Sequence, residues 1–291
     1  MNAIKIKSPA KINLTLEVIK KLPNGFHELR TVILKLENLY DEIELRIEEK
    51  KGPIKIVCAN RAVPTDERNT CYQVAEKFLK LSGKVASLEI KIKKNIPVTA
   101  GMGGGSSNGA TILMALNDYF QKPLSFAKLV SIAAEVGKDI PVFLAKERVV
   151  FVSGMGEKLK NIKCNPRLNL LIINPGFPVS TAWSFEELDK NFSKMADKRR
   201  KNISLNFLKY LNGKNLDLIS GKLYNDFEVA VEKKHPIIKR IKQELLAFGA
   251  LGAMMSGAGP TIFGIFRTKK ETLLTAKILK EYYPELFIEV A

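Results

Sequence analysis

Residues 97–109 read PVTAGMGGGSSNG, with four glycines among the five positions 101–105. Upstream, Leu88, Ile90 and Ile92 alternate with Glu89, Lys91 and Lys93, the period of a half-buried strand. Downstream, residues 106–120 are apolar on most sides and predict a buried helix. Strand, glycine-rich turn, helix is the order that builds an anion site. Glycine lets the backbone approach a ligand closely and take positive φ. The free N–H groups of a first helical turn, together with the helix dipole, favour negative charge. Ser106 and Ser107 could cap the helix, bond phosphate oxygens or hold a magnesium ion. The plainer alternative is a flexible, tight lead into the helix. Two familiar phosphate motifs, GxxxxGK[ST] and GxGxxG, are not completed here, and the protein-kinase HRD and DFG signatures are missing.

Around this segment helices and strands mix without strict βαβ alternation, so the fold class is α+β. Ile4 and Ile6 alternate with Lys5 and Lys7. Ile12, Leu14, Leu16 and Val18 alternate with Asn13, Thr15 and Glu17, which predicts a strand with one face in and one out. PNG at 23–25 marks a turn. Strands are also expected at 43–47, 54–56, 148–152, 168–174 and 261–266, and helices at 69–81, 126–136, 204–211 and 237–248. A second unit begins near residue 160. The expected division is 1–160 and 161–291.

Composition bounds the function. The chain has 291 residues, 46% of them hydrophobic, ample for a packed core. No run of about 18 uncharged apolar residues offers a membrane span. The start, MNAIKIKSPAKIN, lacks the apolar stretch of a secretory signal. Cys58, Cys71 and Cys164 are sparse and form no metal pattern with His27 or His235, which fits ordinary thiols in a reducing, cytoplasmic setting. Net charge is +17, and the densest basic run is KRRK at 198–201. With no aromatic residues interleaved, that run reads as a solvated loop or helix end rather than a nucleic-acid site.

Three segments then fall into a recognisable order. PVTAGMGGGSS resembles the PxxxGLGGGSS phosphate loop of the galacto-, homoserine, mevalonate and phosphomevalonate kinase superfamily. PAKINLTL at 9–16 resembles its N-terminal motif, and MMSGAGPTIFGIF at 254–266 its C-terminal motif. Within the superfamily, PAKINLTLEVIKKLPNGFHELRT, GKDIPVFL at 137–144 and YNDFE at 224–228 resemble the branch that phosphorylates a cytidine-diphosphate polyol. The resemblance implies a nucleotide-binding and catalytic domain of the ribosomal-S5-domain-2 type. It also implies a ferredoxin-like C-terminal domain that completes the substrate site. ATP and Mg²⁺ are the implied cofactors, and a monomer or homodimer without nucleic-acid or membrane partners is the implied state.

The same matching assigns residues. Lys11 and Asp139 carry phosphoryl transfer. A carboxylate takes the proton of a poorly nucleophilic hydroxyl, and a neighbouring ammonium orients it and neutralises developing charge. The ATP set is Pro97, Val98, Thr99, Ala100, Gly101, Met102, Gly103, Gly104, Gly105, Ser106 and Ser107, with Asn69 and Lys94 lining the adenine. The acceptor set is Asn13, Phe26, His27, Thr181 and Phe185, with Phe26 and His27 on the cytosine. Read without the resemblance, Lys11 and Lys94 are exposed lysines, Asp139 a loop or cap residue, His27 a turn residue and Phe185 core. Phe26 stands where tyrosine is usual, Met102 where leucine is, and Gly109 where alanine is. Two rivals remain. A mevalonate-type kinase is disfavoured by the base-binding GFHEL, and a basic RNA-binding protein by the glycine loop with Lys11 and Asp139.

Overall fold

The computed structural model describes residues 3–190, 202–211 and 215–291; the KRRK run lies outside them. Two compact units emerge. One holds Met1–Ala10, Leu39–Val98 and Gly103–Lys146, the other Lys11–Asn38, Thr99–Met102 and Glu147–Ala291. Two long strands, β1 (Ile4–Lys21) and β2 (His27–Glu48), each contribute residues to both.

In the first unit, β3 (Ile54–Cys58) runs parallel to β4 (Ser87–Lys93), which pairs antiparallel with Glu42–Glu48 of β2. Parallel neighbours need a crossover, and α1 (Thr70–Ser82) supplies it. Its buried Cys71, Val74, Ala75 and Phe78 recur at helical spacing. Asn69 caps its start, and Gly83 ends it in the left-handed region at φ 67°. The helices α2 (Gly104–Tyr119), α3 (Phe126–Val136) and α4 (Ile140–Leu144) complete the unit. As expected, α2 is buried along most of its surface, with Ile112, Leu113 and Leu116 fully enclosed and Gly105, Met114, Asp118 and Tyr119 exposed.

Gly109 now has a reason. A Cβ there would lie 2.7 Å from Thr70 Cγ2, so glycine lets α2 approach the start of α1. Alanine would gain about 0.5–1 kcal/mol of helix propensity, but overpacking a tight core site costs about 1–3 kcal/mol. We therefore expect Gly109→Ala to lower stability in urea unfolding, and Gly109→Ala with Thr70→Ser to recover it. A single variant more stable than wild type would show that Thr70 yields freely.

In the second unit, Leu29–Leu34 of β2 pair antiparallel with β5 (Val149–Gly154), which pairs with β6 (Lys158–Ile162). Thr15 and Leu16 of β1 pair parallel with β8 (Tyr224–Asn225). A separate four-stranded antiparallel sheet contains β7 (Asn169–Asn174), β9 (Gly252–Met255), β10 (Ile262–Phe266) and β11 (Phe287–Val290), in the order β11-β7-β10-β9. The helices after β7 are α5 (Thr181–Lys190), α6 (Ile203–Leu211), α7 (Leu216–Ser220), α8 (Glu228–Lys234) and α9 (Pro236–Ala247); α10 (Lys269–Tyr282) precedes β11. Strand order 4-1-3-2 with helices after the first and third strands is the ferredoxin-like arrangement. Leu171, Ile173, Ile262 and Phe266 of the sheet pack with Ile238, Ile241, Leu245 and Leu279 of the helices.

One expectation fails. β1 does not turn one face to solvent, because Lys11, Asn13, Thr15 and Glu17 are all buried. Each polar side chain is matched instead. Thr15 Oγ1 donates to Ser204 Oγ at 2.8 Å. Glu17 accepts the N–H groups of Ile203 and Ser204 at 2.8 and 2.7 Å. A carboxylate on those two amides satisfies the start of α6 from a neighbouring strand. Alternation reports two chemically different faces, and here both are covered.

Candidate active site

In the second unit, the three motifs meet in one hydrogen-bond network. Lys11 is 4% exposed, and its ammonium donates to Asn13 Oδ1 at 2.7 Å and to the Gly101 carbonyl at 2.9 Å. The Lys11 N–H bonds the Met102 carbonyl at 3.0 Å. Ser256, from the C-terminal motif, accepts the Asn13 N–H at 3.2 Å and donates to the Gly101 carbonyl at 3.1 Å. The approach leaves no room for a side chain at position 101. Gly101 has φ 73°, and a Cβ would sit 2.4 Å from the Ser256 carbonyl. Lys11 is thus a buried cation with its donors directed, not an exposed strand lysine. Asn13 shares its face, with Oδ1 taken by Lys11 and Nδ2 donating to Thr31 Oγ1 at 2.8 Å.

Asn225, from the YNDFE segment, steadies this network. Its Nδ2 donates to the carbonyls of Met255 and Gly257 at 2.8 Å each, and its Oδ1 accepts the Phe227 N–H at 2.9 Å. A Cβ on Gly257 would be 3.5 Å from the Lys11 ammonium, so that turn packs directly over it.

Of the other residues expected to hold the acceptor, Phe26 lies just before β2, His27 at its start, and Thr181 and Phe185 on α5. Phe26 is 53% exposed. His27 is buried, and its ring stacks on Phe185 at 4.4 Å between centroids. Phe185 in turn meets Phe227 edge-on at 4.9 Å and packs, partly buried, against the core. Thr181, one turn before Phe185 on the same face of α5, is exposed.

In the first unit, Gly103 is the left-handed residue before α2, at φ 67°, and makes no side-chain cap. Ser106 and Ser107 are therefore helical positions rather than caps. Ser107 N–H donates to the Gly103 carbonyl at 2.8 Å, the first intrahelical bond. The earlier N–H groups of Gly104, Gly105 and Ser106 precede it. Ser107 is buried against Ser8, whose hydroxyl donates to it at 2.8 Å. Ser106 retains surface and Gly105 is exposed. A Cβ at Gly104 would lie 3.0 Å from the Lys94 ammonium and 3.1 Å from Ile96 Cγ2.

Lys94 is not the ordinary surface lysine that its neighbour Lys93 is. Its side chain is 5% exposed and forms a close ion pair with the fully buried Asp41. Asp41 also accepts the N–H groups of Asn95 and Ile96 at 2.8 and 2.9 Å and an Asn108 amide N–H at 3.0 Å. Asn69, the other expected adenine contact, caps α1 through Oδ1 and donates to the Pro64 carbonyl at 2.6 Å. Pro97 and Val98 lead from this cluster toward the loop. Asp139 is exposed and occupies the N-cap position of α4, without a side-chain capping bond to that helix.

Sequence reading missed Asp41, Asp189, Asn225 and Ser256 as site-forming residues. Asp41 gave a signal, since it falls in phase with the buried Leu39, Ile43, Leu45 and Ile47 of β2. The thiols behave as expected. Cys71 is fully enclosed, and burial pushes its pKa up to about 12. Among the described residues no cluster of three or more His, Cys, Asp or Glu could hold a metal ion, and no helix is long and apolar enough to cross a membrane.

Residues 69–147 match the model of the GHMP kinases N terminal domain, and residues 207–285 that of the GHMP kinases C terminal domain. A 4-diphosphocytidyl-2-C-methyl-D-erythritol kinase of Syntrophus aciditrophicus is 39% identical over 266 residues, 91% of either chain. One of Acetivibrio thermocellus is 36% identical over 289 residues, 99% of either chain. A crystal structure of 4-(cytidine 5'-diphospho)-2C-methyl-D-erythritol kinase superposes with a TM-score of 0.77 at 25% identity, covering 99% of this chain and 98% of that one. A homoserine kinase from Cytophaga hutchinsonii shares the fold, with a TM-score of 0.78 at 21% identity. On identity sustained over nearly its whole length, this chain belongs to the 4-diphosphocytidyl-2-C-methyl-D-erythritol kinase family of the GHMP kinases.

Proposed function

We propose that the protein transfers the γ-phosphoryl group of ATP to the 2-hydroxyl of 4-diphosphocytidyl-2-C-methyl-D-erythritol, a step of non-mevalonate isoprenoid synthesis. The observation that carries this reading is the junction at Lys11. A buried ammonium is held by the carbonyl of Gly101 in the glycine loop, and Ser256 of the last motif locks both. Such a constellation suits phosphoryl transfer, where catalysis is mostly positioning and charge stabilisation.

ATP, bound with Mg²⁺, supplies the phosphoryl group and part of the charge neutralisation. The residues present fit the phosphates. The N–H groups of Gly104, Gly105 and Ser106 open a 16-residue helix, and no side chain at 105 stands before them. Ser106, with its accessible hydroxyl, suits a metal-bound phosphate better than Ser107, which is committed to Ser8. Asp139 takes the proton of the acceptor hydroxyl as the bond to phosphorus forms. Lys11 stabilises the charge that develops, its donors already aimed by Asn13 and Gly101. Phe26, His27 and Phe185 hold the cytosine, and Thr181 lies one turn along α5 for the rest of the acceptor. We read residues 1–160 as the nucleotide-binding and catalytic part and 161–291 as the part that completes acceptor recognition.

A coupled ADP-release assay across the cytidine-diphosphate polyol, mevalonate and homoserine tests the assignment. Turnover is expected with the first alone. In the same assay His27→Ala should raise KM for the acceptor about 5- to 150-fold, the equivalent of a lost buried hydrogen bond. KM for ATP should stay within about twofold, as is general for a residue that touches only one substrate. Equal turnover of an acceptor without the cytidine would reduce the assignment to the superfamily.

A further inference from the structure

His27 owes its orientation to a residue with no assigned role. Among the described residues its ring makes one hydrogen bond, through Nε2 to Asp189 Oδ1 at 2.7 Å. The second carboxylate oxygen of Asp189 accepts from Lys21 Nζ at 2.8 Å. Lys21 ends β1 and His27 begins β2, so one carboxylate on α5 ties together both ends of the PNGF turn. The turn itself closes with Leu22 N–H on the Phe26 carbonyl at 2.7 Å and Gly25 at φ 82°. Phe185, one turn earlier on α5, covers the face of the same imidazole. Burial alone would raise the Asp189 pKa; the hydrogen bonds from Lys21 and His27 and the charge of the Lys21 ammonium outweigh it and hold the carboxyl below its usual value. It is therefore an anion, and an anion at Nε2 accepts only.

That contact has a consequence for recognition. A neutral imidazole carries one proton, and the partner of one nitrogen decides the role of the other. With Nε2–H given to Asp189, Nδ1 is left with its lone pair. The C4 substituent of cytosine is an amine and donates; that of uracil is a carbonyl and accepts. We propose that Asp189 is a positioning residue for base selection: it holds the proton of neutral His27 on Nε2, leaves Nδ1 as an acceptor for the exocyclic amine of cytosine, and so favours a cytidine over a uridine acceptor. This rests on the reading of His27 as a base contact.

The test uses wild type, Asp189→Ala, Asp189→Asn and His27→Ala of the full chain, each checked for cooperative thermal unfolding. Nitrogen-15 NMR of labelled histidine reads the His27 tautomer on the deprotonated plateau of its titration. Steady-state kinetics compare the cytidine acceptor with its uridine analogue. Wild type should show the Nε2-protonated form and prefer cytidine. Asp189→Ala should mix the tautomers, raise KM for the cytidine acceptor about tenfold, in line with loss of a partner that orients a liganding histidine, and narrow the preference. The change in kcat should be smaller than that in KM. Asp189→Asn, whose carbonyl can still accept from Nε2, should recover most of both readouts. An unaltered tautomer and an unaltered base preference in Asp189→Ala overturn the proposal while leaving His27 as a base contact. A doubly protonated ring at the assay pH overturns it as well. If His27→Ala leaves acceptor KM unchanged, the underlying reading fails, and the NMR result alone then reports what Asp189 does to the ring.

Discussion

Asp139→Asn should lower kcat by about 10²–10⁴-fold, the usual effect of removing a general base, while the protein stays folded and binds nucleotide. The side chain is exposed, stands at the N-cap position of α4 without a side-chain capping bond, and is isosteric with asparagine. Folding should therefore change by no more than about 0.5 kcal/mol, as for ordinary surface substitutions. This separates chemistry from structure in one variant. The rate is read by coupled ADP release, and binding by calorimetry with a non-hydrolysable ATP analogue. More than half of the wild-type kcat would remove Asp139 from the mechanism. A collapse of nucleotide affinity would instead make it a binding residue.

Asp41→Ala should produce the largest loss of stability. Asp41 is fully buried and accepts from the Lys94 ammonium, two backbone N–H groups and the Asn108 amide. Removing it strands a buried cation and three further donors. Breaking a buried ion pair from one side costs about 3–5 kcal/mol. Lys94→Met should cost less, because Asp41 keeps its neutral donors and the methionine fills the lysine stem's space. The order of the two variants in urea unfolding is the decisive quantity. If Lys94→Met were the more damaging, the lysine rather than the carboxylate would be the keystone of this cluster. Asp41→Ala costing under about 1 kcal/mol, the net worth of a single ordinary hydrogen bond, would mean that water enters and solvates the site.

Much of the secondary structure was legible because periodicity is local. The helices expected at 126–136, 204–211 and 237–248 match α3, α6 and α9 to within a residue. The glycine loop was legible too, although α2 begins inside it at Gly104 rather than after it. What escaped was whatever depends on the other side of the molecule. The alternation of β1 correctly gave a strand, but whether its polar face meets water depends on Thr31, Ser204 and Ser256, which are distant in sequence. Strand β9 was hidden because GALGAMMSGAGP reads as turn-forming, and its pairing with β10 overrides that local preference. The start of α10 was written in plain form, a Thr268–Glu271 capping box, yet its lysine-rich face masked the apolar period.

The site divides the same way. Lys11, Asp139 and the glycine loop are proposed from motifs, since motifs record which residue types a chemistry requires. Asp189, Asn225 and Ser256 do not touch a substrate in that scheme. They hold residues and turns of the proposed site, and one chain read in isolation carries no mark of such support. Lys94 shows the converse, a motif position whose side chain is already committed to a buried carboxylate. The adenine contact proposed for it, like that for the capping Asn69, has to share the side chain with this structural bond.

The lock that Ser256 places on Gly101 also sets an order in time. The two residues are 155 positions apart, and a ribosome adds about 5–20 residues per second, so roughly 8–30 s separate their synthesis. Throughout that interval the glycine loop and Lys11 exist without the hydroxyl that joins them. The nascent chain therefore carries two of its three motifs but not the finished junction until the last sheet has been made. The junction is thus assembled only after Ser256 has been made: a chain interrupted before that serine arrives carries the first two motifs without the bond that joins them to the third, whatever its earlier segments have managed to fold.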